Sequence, residues 1–428
     1  MMGGNLVLAA VGACSAVLAL LLFRAAPRAT VIAWALALFF LPVWVGANVG
    51  FFWSVVTAIT LLAVVAGLSD IRLHPVDAVM AVFVTLIVAL FAMKGATLSA
   101  TVIALLEWVL PYVWGRLVLA RVSADFVVRV LAAAATVAAV LAVIEFATGT
   151  NVFSELPPLS ESLYAEWGPL QIRGGLLRVE GAWGHSIAFG AAMAMTSAFL
   201  LVVPWPVVVR LLALAAVASA TVMTFSRIGI ITLVLTVALG LVLLPGIPAR
   251  LRWWVIGGGL AAAVAVVPFI GSVFLDAGDE AGGSADYRGG LFALISQVQL
   301  LGTAGDWTGL TVGGDYLGSY ANSVDNAFLV FALRFGWLPS LALMAALVLV
   351  AVMVLRRRTA TPAAVAVAAQ LPTMFAVALI TQFGMYLWFL VGLAVAWRDL
   401  RASGGDGTDL FGRERGALDA PLLTRSAR

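Results

Sequence analysis

A chain of 428 residues that is 63% hydrophobic and only 11% charged, with mean hydropathy +1.11, has too little polar surface for a water-soluble protein of its size. The formal net charge of +3 is too small to indicate nucleic acid, and the single cysteine, Cys14, excludes an intramolecular disulfide. Apolar stretches of about 18 residues or more recur along the chain, and each reads as a membrane-spanning helix.

Breaks in hydrophobicity give candidate spans at 5–22, 31–47, 52–68, 77–93, 98–118, 126–147, 186–203, 207–224, 228–244, 254–275 and 326–355. The last apolar stretch, 362–397, exceeds one helix and is split at Gln382, Phe383 and Gly384. The expected fold class is an all-α integral membrane protein, a polytopic helical bundle of about 12–13 transmembrane helices. The N-terminus MMGGNLVLAA lacks a basic leader region and reads as a retained first helix.

Orientation follows from the arginines, because Lys94 is the only lysine among 24 basic residues. Arg24 and Arg28, Arg72, Arg116 with Arg121 and Arg129, Arg210, Arg250 and Arg252, and Arg356 to Arg358 fall in alternate loops. The positive-inside rule places those loops in the cytoplasm. The tail 398–428 is basic, polar and Gly-rich, and reads as disordered and cytoplasmic, leaving 1–397 as one transmembrane domain. Two longer loops, 148–185 and 276–325, then lie on the extracytoplasmic side. Both are rich in acids, aromatics and glycines, which marks that face as the functional one.

Three arginines stand on this face against the charge rule: Arg178 in LRVEGAWGH, Arg227 in TFSRIGI and Arg288 in ADYRGGLFALISQVQLL. A guanidinium at a membrane boundary is costly unless it snorkels or pairs with an anion, and its planar fork suits phosphate. The competing readings are snorkelling for Arg227, pairing with Glu180 for Arg178, and a local pair with Asp286 for Arg288. Asp325 and Asn326 stand where the second loop re-enters the membrane, either as a helix N-cap or as a carboxylate base with its neighbour. His185 opens a span and is a further candidate base, or else a hydrogen-bonded structural residue. His74, before Pro75, reads as structural. Tyr287, Trp167, Trp183, Trp307, Tyr316 and Tyr320 offer faces for sugars, although Trp and Tyr populate every membrane interface. The acidic run Asp276, Asp279 and Glu280 matches no metal loop, and no P-loop, Rossmann or zinc motif is present. No cofactor and no metal is expected.

The order of these elements resembles the O-antigen ligase and O-antigen polymerase superfamily of bacterial membrane glycosyltransferases. The resemblance is carried by EFATGTNVF, RVEGAWGHSIAFG, TFSRIGI, a long loop containing Arg288, DNAFLVFALRFGWLPS and LWFLVGLA. It spans roughly residues 30 to 400 in architecture and only short motifs in sequence. It implies a catalytic domain in the bacterial cytoplasmic membrane that moves a glycan from a polyprenyl diphosphate carrier to an acceptor glycan, lipid or protein on the outer face. Arg178, Arg227 and Arg288 would bind the diphosphate and stabilise it as it leaves. Glu180, His185, Asn326 and Tyr287 would line the substrate site. Many ligases of the family have histidine where this chain has Asp325, so either Asp325 is the general base here, or His185 or Glu180 takes that role, or no base is essential. The alternative is a transporter or flippase of lipid-linked glycans. It would place charge near the bilayer midplane, where Glu107 is the main ionisable residue.

Overall fold

Prolines, small polar caps and glycines decide where the apolar runs begin and end. The computed structural model describes residues 2–49, 51–69, 72–276, 291–305, 311–312, 315–316, 324–355 and 360–402. Helices α1 (Met2–Ala25) and α2 (Pro27–Phe40) are followed by a hairpin, β1 (Gly46–Val49) and β2 (Phe51–Ser54), that the hydropathy pattern does not announce. Next come α3 (Val55–Gly67), α4 (Pro75–Ala92), α5 (Leu98–Ala120) and α6 (Ala124–Thr148). The 148–185 loop folds as α7 (Glu161–Trp167) and a small hairpin, β3 (Ile172–Arg173) and β4 (Leu176–Leu177). Then follow α8 (Ser186–Leu200), α9 (Val207–Met223), α10 (Arg227–Leu243) and α11 (Ala249–Asp276). A short pairing, β5 (Thr311–Val312) with β6 (Asp315–Tyr316), precedes α12 (Ala327–Phe335), α13 (Trp337–Leu355), α14 (Pro362–Gln370) and α15 (Thr381–Ala402).

Six helices, α4, α5, α6, α11, α13 and α15, are long and apolar enough to cross a membrane, and seven shorter apolar helices accompany them among the described residues. This is the architecture of an all-α, multi-pass membrane protein. The helix starts follow local chemistry. The side chains of Ser54, His74, Thr97, His185, Ser226, Asn326 and Thr361 each accept a backbone N–H from the first turn of the helix they precede. Within α5 the turn Ala104–Val109 is widened to π-helical geometry. Pro111 explains it, since its ring would collide with the Glu107 carbonyl in a regular helix.

Long-range hydrogen bonds order the two ends of the bundle. At one end Arg116, only 4% exposed, holds Asp77 through Nε (2.8 Å) and Nη2 (2.9 Å), Asp399 through Nη1 (3.0 Å) and the Arg72 carbonyl (2.7 Å). Tyr112 also donates to Asp77, and Arg121 donates to the carbonyls of Arg24 and Ala66. At the opposite end Gln382 reaches the Leu41 carbonyl (2.7 Å), the Leu159 N–H that of Trp44 (3.2 Å) and the Thr303 N–H that of Gly95 (2.7 Å). The arginines at 24, 72, 116 and 121 therefore gather at one end, as their alternation in sequence requires.

Small residues let helices cross closely where lipid provides no hydrophobic drive. Gly115 of α5 faces Gly392 of α15, with backbone against backbone. Gly190 of α8 and Gly229 of α10 also meet, more loosely, a Cβ on either standing 3.5–3.6 Å from the other's Cα.

Three expected boundaries move. The span 326–355 is two helices, broken at Gly336, whose φ is +87°. The stretch 299–304 inserts against the break and satisfies the backbone that it frees. The N–H groups of Trp337 and Leu338 donate to Gln299 and Leu300, while Gly302 and Ala304 donate to Phe335 and Leu333. A Cβ at residue 336 would lie 2.8 Å from the Leu300 carbonyl oxygen. Gly336→Ala is accordingly expected to lower stability by about 1–3 kcal/mol, read as a lower midpoint of thermal unfolding in detergent. The split in 362–397 falls at 371–380, where the turn Leu371–Phe375 carries Pro372 as its second residue. Gln382, Phe383 and Gly384 instead form the first turn of α15. That helix runs to Ala402, so 398–402 is helical rather than tail, and the rest of the expected disordered tail lies outside the described residues.

Candidate functional site

The polar residues of the 148–185 loop converge on the end of the bundle opposite the Arg116 cluster. Gly149, in the left-handed conformation (φ +70°), closes α6, and Asn151 turns back towards it. Glu145, in the last turn of α6, is 4% exposed and accepts N–H bonds from Glu180 (3.1 Å), Gly181 (3.0 Å) and the Asn151 amide (3.1 Å). The turn from Glu180 to Gly184 requires positive φ at both glycines, +53° at Gly181 and +61° at Gly184. A Cβ at Gly184 would stand 2.8 Å from the Trp167 carbonyl oxygen and 2.9 Å from the Trp44 ring, while one at Gly181 would press the Phe189 ring at 3.3 Å.

Upstream, the β3–β4 hairpin lies along the connection between α9 and α10. Arg178 is 7% exposed and donates from Nε to the Thr224 carbonyl at 2.9 Å. Arg173 donates to the Phe225 carbonyl at 3.0 Å, and the Val179 N–H to Met223 at 3.2 Å. Phe225 itself sits at φ +46°, a strained conformation for an aromatic residue. Ser226 then caps α10, and Arg227 is its exposed first residue. A cation in the first turn opposes the helix dipole, so the position of Arg227 is not explained by helix stability. Because Gly190 and Gly229 touch, the N-termini of α8 and α10 meet beside Arg178, and their dipoles add to its charge.

The ionisation states differ sharply. Burial, followed by the Arg178 charge, lowers His185 to about 3. Its Nδ1 accepts the Ile187 N–H at 3.1 Å, so the neutral ring carries its proton on Nε2 and acts as the N-cap of α8. Burial and then the Glu145 charge push Glu180 up to about 9, against the pull of Arg178. Glu180 therefore holds its proton at neutral pH.

Asp325 and Asn326 lie at a third helix start. Asn326 is the N-cap of α12, its side chain accepting the Leu329 N–H at 2.9 Å, and Asp325 precedes it half-buried. The Ala327 N–H donates to Val377 at 3.0 Å, and Gln382, five residues on, donates to the Ala182 carbonyl at 3.3 Å. The 377–382 segment thus links the start of α12 to the 180–184 turn. Arg288, Tyr287, Asp279 and Glu280 lie outside the described residues. Among the described residues no group of three His, Cys, Asp or Glu side chains is placed to hold a metal ion.

The structure therefore brings together Arg178, Glu180, His185 and the Ser226–Arg227 helix start. It adds Glu145, Asn151, Thr224 and Gln382, none of them expected at the site. A signal for Glu145 was present: a carboxylate closing an otherwise apolar span is costly unless it is used. Gln382 carries the signal of a polar residue in an apolar run, which by itself suits a helix break equally well.

Fold and site define a multi-pass α-helical membrane protein with a buried cluster of charged groups at one end. No protein-family description, no curated protein and no solved structure matches the chain.

Proposed function

We propose that the chain is a membrane glycosyltransferase of the O-antigen ligase and polymerase type, acting on a polyprenyl-diphosphate-linked oligosaccharide at the outer face of the bacterial cytoplasmic membrane. The observation that carries this reading is the meeting of two helix N-termini, α8 and α10, with Arg178 and Arg227 at the arginine-poor end of the bundle. Such an arrangement favours a multiply charged anion, and a departing diphosphate is one. The donor's lipid would enter laterally between helices. In the transfer the acceptor hydroxyl gives its proton to Asp325, its oxygen bonds to the anomeric carbon, and the carbon–oxygen bond to the diphosphate breaks with inversion. Arg178, Arg227 and Arg288 stabilise the charge that collects on the diphosphate oxygens, with no metal required. The acceptor is a glycan, lipid or protein.

A second reading, a transporter or flippase of lipid-linked glycans, is favoured by Glu107, which sits inside α5 and within electrostatic reach of Arg334 on α12. One assay separates the two. Purified protein in nanodiscs is given a native polyprenyl-diphosphate glycan extract with EDTA present, and Asp325→Ala is run beside the wild type. Longer or newly attached glycan is expected from the wild type alone. If neither protein makes product while both bind the donor, the transporter reading replaces this one. Equal product from both removes Asp325 as the base.

A further inference from the structure

The loop that carries Arg178, Glu180 and His185 is anchored by a residue that the transfer reading leaves unused. Glu145 directs both carboxyl oxygens at the loop, Oε1 to the Glu180 N–H and the Asn151 amide, Oε2 to the Gly181 N–H. Asn151 completes the ring by donating to the Gly181 carbonyl at 2.9 Å. A second carboxyl is buried beside the first. Glu180 is 1% exposed, and its Oε2 is buried with no hydrogen-bond partner among the described residues. Leaving such an oxygen unsatisfied costs free energy, which a ligand group accepting from the acid or donating to it would recover.

We propose that Glu145 is the positioning residue of an anion site, fixing the 178–181 turn so that Arg178 and the Glu180 carboxyl are presented together to a phosphate or diphosphate group. Only the identity of that anion as a lipid-linked diphosphate rests on the transfer reading above. Among the described residues the charges that act on Glu180 are Glu145 from α6 and Arg178 on its own loop, and the same Arg178 acts on neutral His185 at the start of α8. With its proton held up to about pH 9, Glu180 does not itself neutralise Arg178, and it offers an O–H to a phosphate oxygen. Above that pH the carboxylate pairs with Arg178 and repels the ligand, so affinity falls as pH rises.

The test is binding of geranyl diphosphate to the full chain in zwitterionic nanodiscs, by calorimetry between pH 7.5 and 9.5, with inorganic pyrophosphate as the lipid-free probe. Wild-type affinity is expected to fall about fourfold by pH 9.5 as Glu180 loses its proton. Glu180→Gln cannot ionise and should show a flat profile. Glu145→Gln, which sets an amide N–H against backbone N–H groups, should bind at least about tenfold more weakly at pH 7.5. Wild-type affinity and profile in Glu145→Gln, or a retained alkaline loss in Glu180→Gln, would overturn the proposal. Equal binding of both probes supports the anion site and makes a soluble diphosphate its ligand. Binding with this profile by a protein that transfers no glycan overturns the transfer reading alone.

Discussion

Replacing Gly392 with valine is expected to abolish recovery of folded protein. A Cβ at residue 392 would stand 2.1 Å from the Tyr112 carbonyl oxygen and 2.9 Å from the Arg116 nitrogen. In return, a Cβ at Gly115 would stand 2.1 Å from the Phe389 carbonyl oxygen. All of these are backbone atoms, so no change of rotamer relieves the clash, and α5 and α15 must separate. Separation also breaks the cluster beside the crossing, where Arg116 joins Asp77 of α4 to Asp399 of α15. A buried guanidinium stripped of one partner adds to the steric cost, and the sum exceeds about 3 kcal/mol. Gly392→Ala should act in the same direction and less severely. Size-exclusion profiles and thermal unfolding in detergent read the effect. A valine variant as monodisperse and as stable as the wild type would show that the helices do not cross there.

Removing either arginine at the opposite end should suppress transfer while the protein still folds. Arg178→Ala and Arg227→Ala are each expected to lower the initial rate of transfer by about 100-fold or more, the usual cost of deleting one fixed stabiliser of a developing charge. They differ in their side effects. Arg227 is exposed at a helix start, outside the packed core. Arg178 also holds the Thr224 carbonyl, so its loss loosens the connection into α10 as well. Arg178→Lys separates charge from geometry, because lysine keeps the charge and lacks the planar fork that reaches two partners at once. The lysine variant should recover little activity. Initial rates and donor affinity measured together decide the matter, and full activity in both alanine variants would remove the anion site from the mechanism.

The sequence by itself determined the class of the protein and the start of most helices. Inside a bilayer each backbone group must be satisfied within its own segment, so apolar run length and a capping residue suffice to place a helix. Ser226, Asn326 and His185 each sit at a helix start for that local reason. Arginine alternation likewise sorted the loops into two sets, and the hydrogen bonds of Arg116 and Arg121 gather one set at one end. The same local logic explains the errors. Nothing within 326–355 shows that Gly336 breaks the helix, because the partner of the break is the distant stretch 299–304. Gln382 looked like an interruption because its acceptors, Leu41 and Ala182, lie 341 and 200 residues away.

What only the tertiary structure decided was which charges meet. Glu145 and Glu180 are 35 residues apart and Arg178 and Thr224 are 46, and no pattern of spacing ties them. The helix starts beside Arg178 approach each other where Gly190 meets Gly229, and Gly115 with Gly392 brings α5 and α15 together towards the other end, each at positions without a side chain. A missing Cβ leaves no trace in hydropathy or charge. The close approach that it permits, and the burial that sets the proton on Glu180, exist only once the helices are packed.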